Sequence, residues 1–85
     1  MPDRPPFLPE NAEAARKGLI KQLARQGGTC AIGELHTFST QRFGAGHQAF
    51  SALMEWLVGD ELVMYDGASF HLTDKGLELS RGMLL

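Results

Sequence analysis

Cysteine is nearly missing from this chain of 85 residues; Cys30 stands alone. A single thiol excludes an internal disulfide framework and fits a reducing cytoplasm. Long apolar runs are missing as well, and none approaches the roughly 18 residues of a membrane-spanning helix. Proline is scarce and uneven: three of the four lie within residues 1–8, a segment too polar for a signal peptide. Positive charge is in short supply. Eight basic residues face ten acidic ones, for a net charge of −2, which works against binding a polyanion, where affinity comes mostly from displaced counterions. Catalytic signatures are absent too. No glycine-rich phosphate loop, nucleophile elbow or paired-acid motif occurs, so no enzyme is expected and no cofactor is implied.

Metal chemistry has little support. His36, His47 and His71 show no i, i+4 pair, and there is no Cys-x-x-Cys. Tetrahedral zinc needs four convergent ligands, usually with such local spacing. Cys30 and His71 could approach across a sheet if the first and third strands pair. A buried small thiol and a half-exposed histidine explain both residues better, and no metal site is expected.

What the chain does have is enough apolar matter for one core. Apolar residues make up 44%, with five Phe and one Trp. A chain this long supports one domain burying ~60–65% of its unfolded surface. Residues 1–8 read as a flexible, proline-rich arm, residues 9–82 as the folded domain, and residues 83–85 as an apolar tail. A first helix is predicted from Pro9 or Asn11 to about Gln26, with Ala12, Ala15, Leu19, Ile20 and Leu23 forming its inner stripe. Gly27-Gly28 ends it, and Thr29–Ile32 leans toward a short strand. A second helix covers about 33–42 with Leu35 and Phe38 inward. After the Gly44-Ala45-Gly46 break, a third spans 47–58 with Ala49, Phe50, Leu53, Trp56 and Leu57 inward. Thr73 is placed to cap a fourth helix, with Asp74 complementing its dipole.

Between the third and fourth helices, Leu62–Tyr65 and Ser69–Leu72 form a hairpin. A two-residue turn at Asp66-Gly67 sets Phe70 opposite Val63. A three-residue loop, Tyr65-Asp66-Gly67, sets Phe70 opposite Leu62 and gives Leu62, Met64, Phe70 and Leu72 one common face. Burial favours the second register.

The resulting order is helix, strand, helix, helix, strand, strand, helix, an α+β arrangement with a three-helix core and a small antiparallel sheet. It resembles the winged helix-turn-helix domain of bacterial transcription regulators over residues 10–80. The specific pieces are Leu72-Thr73-Asp74-Lys75-Gly76 with Leu79, and Leu53, Leu57 and Leu62 around the Gly59 break. Ser39 and Thr40 depart from the motif, standing where a small apolar residue is usual. The resemblance implies a cytoplasmic transcription regulator that binds double-stranded DNA with its third helix in the major groove.

The outward face of that helix is then His47, Gln48, Ser51, Ala52 and Glu55. Gln48 suits an adenine edge, His47 a guanine acceptor or phosphate, and Ser51 either. Arg42 precedes the turn and suits a phosphate, as do Lys17 and Lys21, which continue to Arg25 at one-turn spacing. The same face also reads as plain solvated helix, and the basic stripe as one balanced by Glu10 and Glu13. The wing tip, Tyr65-Asp66-Gly67-Ala68, is short and acidic and offers no cation to DNA. A second expectation therefore stands beside DNA binding: a protein-interaction or dimerisation module, pairing with a partner or a second copy through the wing, the surroundings of Trp56 or the apolar tail.

Overall fold

A computed structural model describes residues 8–84, with side chains through residue 82. The predicted arm lies outside the described residues except for Leu8, which packs against the core. The side chains of the predicted tail at 83–85 lie outside them too. Seven elements follow in the predicted order: α1 (Ala12–Arg25), β1 (Thr29–Ala31), α2 (Ile32–Phe43), α3 (His47–Gly59), β2 (Val63–Tyr65), β3 (Ser69–Leu72) and α4 (Asp74–Leu84). The strands form one antiparallel sheet in the order β1-β3-β2.

α1 buries Ala12, Ala15, Leu19, Ile20 and Leu23, the stripe its spacing predicts. Each fully buried Leu or Ile contributes about 1.5–3 kcal/mol of transfer free energy. One glycine on this helix is there for space. A Cβ at Gly18 would lie 2.2 Å from the Phe43 ring, so α2 closes onto α1 through that ring. Ser39 is fully buried at the predicted departure from the motif. Its hydroxyl donates to the His36 carbonyl at 2.8 Å, and Thr40 donates to Ala45 at 2.7 Å. Returning the proton to its own helix lets a small hydroxyl fill an apolar position.

α3 is more enclosed than its stripe suggests. It packs against α1, α2 and β2, so Ala52 and Met54 are buried along with Phe50, Leu53, Trp56 and Leu57. Ala52, expected outward, is therefore corrected to core. The outward face narrows to His47, Gln48, Ser51 and Glu55, with Val58 also exposed.

The hairpin takes neither expected register. Tyr65 pairs with Phe70, Met64 with His71 and Val63 with Leu72. The turn sits one residue later, at Gly67-Ala68, with Gly67 at φ 98°. The Asp66 carboxylate is the cause: its Oδ1 accepts from the backbone N–H of Ala68 at 2.9 Å and of Ser69 at 2.8 Å. Bonding two turn N–H groups to one carboxylate holds the turn at Gly67-Ala68, and the register that would bury Met64 is not taken. Met64 is thus 61% exposed while Val63 is buried. Leu62 reaches the core without joining the strand, because Glu61 turns the chain at φ 62°.

Thr73 caps α4 as predicted, accepting from the N–H of Gly76 at 3.0 Å. Its own N–H donates to the Leu62 carbonyl at 3.1 Å. A Cβ at Gly76 would come within 2.1 Å of that carbonyl oxygen, so only glycine lets α4 approach the chain entering the wing.

Candidate nucleic-acid interface

The Gly44–Gly46 turn delivers α3 with its first residues exposed. Gly46 is extended at the N-cap, and no acid occupies the first turn of α3. His47, Gln48 and Ser51 all face outward there. The His47 ring meets the edge of His36 at 5.8 Å between centroids, and His36 in turn leans on Phe50 at 4.9 Å. His47 is thereby held against α2, while Gln48 is left to solvent.

The basic candidates are elsewhere and they converge. Lys17, Lys21 and Arg25 of α1 and Arg42 of α2 line one groove of about 330 Å³, together with Phe38, Phe43 and Gly18. Among the described residues no Asp or Glu lines it. The Arg42 guanidinium lies 5.7 Å from the Phe38 ring centroid. Among the described residues none of the four cations makes an ion pair, and Glu13 stands one helical turn before Lys17, beside it in a neighbouring cleft. Arg16 is separate. It reaches Asp60 at 2.8 Å and covers the Trp56 ring at 4.7 Å, fastening α1 to the end of α3.

The other half has the opposite character. From residue 43 to residue 74 there is no Lys or Arg, against Glu55, Asp60, Glu61, Asp66 and Asp74. An apolar groove of about 400 Å³ runs between α3 and the wing, lined by Ile32, Met54, Val58, Tyr65 and Phe70, with Ser51 and Glu55 also in its walls. Ile32, Val58 and Tyr65 are exposed. This groove was not foreseen, because it depends on the register that brings Tyr65 onto Phe70, their rings stacked at 4.8 Å.

At the wing, His71 links three segments across the outer face of the sheet. An imidazole with its proton on Nε2 donates to Asp66 Oδ2 at 2.6 Å and accepts the Thr29 hydroxyl at Nδ1 at 2.9 Å. The His71 bond, then the N–H groups of Ala68 and Ser69, pull the Asp66 carboxyl down to about 2. The wing tip is firmly anionic at neutral pH. β1 and β3 do pair, yet Cys30 stands opposite Phe70 and His71 opposite Thr29. Cys30 faces the core, where burial first and the Glu34 charge second push its thiol up. Among the described residues no three His, Cys, Asp or Glu side chains gather to hold a metal, and no helix is long and apolar enough to cross a membrane.

No family model matches the chain, and no curated protein does. A solved structure does: F93 from STIV, titled a winged-helix DNA-binding protein, at 17% identity and a TM-score of 0.68. The alignment covers 89% of this chain and 87% of that one. The fold is a winged helix.

Proposed function

We propose that this winged-helix domain binds double-stranded DNA and serves in transcription regulation, acting by binding rather than by catalysis. The start of α3 enters the major groove, with His47, Gln48 and Ser51 at base edges. Lys17, Lys21 and Arg42 hold phosphates. The observation that carries this reading is the convergence of cations without ion pairs on a groove lined by Phe43, the last residue of α2 before the break that leads to His47. The DNA-binding title of F93 adds support, within the limits of fold analogy. The lone, buried thiol of Cys30 favours a cytoplasmic setting.

An amide chemical-shift titration with duplex DNA at low ionic strength tests it. Shifts concentrated in residues 42–51 are expected, along with salt-sensitive binding that Arg42→Ala weakens about tenfold. No binding at low salt sinks the reading.

A second reading is favoured by the apolar groove between α3 and the wing. Its exposed Ile32, Val58 and Tyr65, with no Lys or Arg in its lining, suit a protein partner or a second copy of this chain. Sedimentation as a single chain, unchanged by Val58→Lys, speaks against self-association through that face.

A further inference from the structure

The α1–α2 groove has features that backbone contact with a duplex does not require. Its cations come from two helices and aim at one space: Lys17, Lys21 and Arg25 at one-turn intervals, Arg42 from the facing side. Among the described residues nothing acidic lines it, so the four charges repel one another across the groove. A ligand bearing more than one negative charge removes that repulsion. The floor is aromatic. Phe38 and Phe43 meet edge to face at 6.0 Å, both half-buried. Gly18 lets the Phe43 ring sink against α1, which keeps this floor low between the cationic walls. α3 contributes no wall residue.

Cations around an aromatic floor match the two parts of a nucleotide: phosphate oxygens for the lysines and arginines, a planar base for the rings. The volume of about 330 Å³ is at the lower end of the range for small-ligand clefts. We propose that the α1–α2 groove is a nucleotide-phosphate site that works without α3. Lys17, Lys21, Arg25 and Arg42 take the phosphates, and Phe38 and Phe43 take the base. The same chemistry is available from a free nucleoside diphosphate or from the backbone of a single strand. The site shares three cations with the duplex reading but does not depend on it.

The test titrates the full chain at low ionic strength with ADP, with inorganic pyrophosphate and with a short oligothymidylate, following the amides of Gly18, Lys21, Phe38 and Phe43. Saturable shifts at these amides are expected, with ADP about tenfold tighter than pyrophosphate because of stacking. Lys21→Ala and Arg42→Ala each weaken ADP about tenfold. Phe38→Leu, which keeps the apolar filling, brings ADP down to the level of pyrophosphate. His47→Ala with Gln48→Ala leaves ADP unchanged. Oligothymidylate binding tighter than ADP through the same amides assigns the source as a strand; the reverse order assigns a free nucleotide. Unsaturable drift spread over all cationic positions overturns the site, and so does pyrophosphate binding as tightly as ADP. Loss of ADP binding in the α3 variant overturns its independence. Duplex binding that fails while ADP saturates removes the DNA reading and leaves this one standing.

Discussion

The α1–α2 half and the α3–wing half of this domain share one core and oppose each other at the surface. The first gathers Lys17, Lys21, Arg25 and Arg42 around an aromatic floor. The second has no Lys or Arg from residue 43 to residue 74, and carries an apolar groove and an anionic wing tip. Under the proposed DNA reading the exposed start of α3 supplies the shape for a major groove, while a polyanion is attracted by charge. Here shape and charge are assigned to different helices. A net charge of −2 therefore describes neither surface, since it averages a cationic groove with an acidic half.

The largest effect should come from the charge itself. Lys21→Glu with Arg42→Glu is expected to lower affinity for nonspecific duplex about a hundredfold or more at low salt, taking each charged contact at about 1.5 kcal/mol. The slope of log affinity against log salt should flatten by about two. Fluorescence anisotropy over a salt series reads both. An equal loss from His47→Ala with Gln48→Ala would erase the division between the halves.

The next comparison concerns packing. At Gly76 an added Cβ meets the backbone oxygen of Leu62, and at Gly18 it meets the far edge of the Phe43 ring. Backbone cannot move aside and a ring can. Overpacking costs about 1–3 kcal/mol, and alanine returns about 1 through helix propensity. Urea unfolding should thus show Gly76→Ala destabilised by about 2 kcal/mol and Gly18→Ala by about 1 or less. Equal losses would mean that the Phe43 ring is as fixed as backbone, and the groove floor with it.

How far the sequence could be read follows the same division. Helices, the Thr73 cap and the inner stripe of α1 were legible because helical spacing and the Gly27-Gly28 and Gly44–Gly46 breaks are local signals, although α3 runs one residue past its expected end, through Gly59. The hairpin register was not. Counting buried residues favoured Met64 inward, whereas one side chain, Asp66, moved the turn by bonding two N–H groups. Ala52 was misplaced because a single-face stripe cannot register that α3 is covered by α1, α2 and β2. The cationic stripe on α1 was visible, yet its convergence with Arg42 depends on how α2 lies over Gly18. The i, i+4 pair of Phe38 and Arg42 was the available sign of the groove.

Adding charge to the acidic half is a milder perturbation. Glu55→Lys exchanges an exposed acid on the outward face of α3 for a cation. If α3 lies in the major groove, duplex affinity should rise several-fold, in line with about 1 kcal/mol for an exposed charge contact. An unchanged affinity would place the duplex against α1–α2 alone, and the two halves would then differ in ligand as well as in charge.

The smallest expected effect belongs to the wing and depends on pH. The Asp66 carboxyl titrates near 2 in the folded chain, below its ordinary 3.8, because His71, Ala68 and Ser69 bond its charged form. The unfolded chain therefore binds the proton first as pH falls. The contribution of Asp66 is complete above 3.8 and is lost as pH drops from there toward 2. Being at the surface, the pair is weakened by solvent and salt, so the loss should be confined to the hairpin. Amide exchange at Ala68 and Ser69 should quicken over that window while the buried amides of α1 hold. Asp66→Asn should remove the pH dependence and leave the hairpin frayed at neutral pH, since a neutral amide makes a weaker acceptor. Exchange that quickens together in α1 and in the wing would show instead that the two halves unfold as one unit, with their separation confined to surface charge.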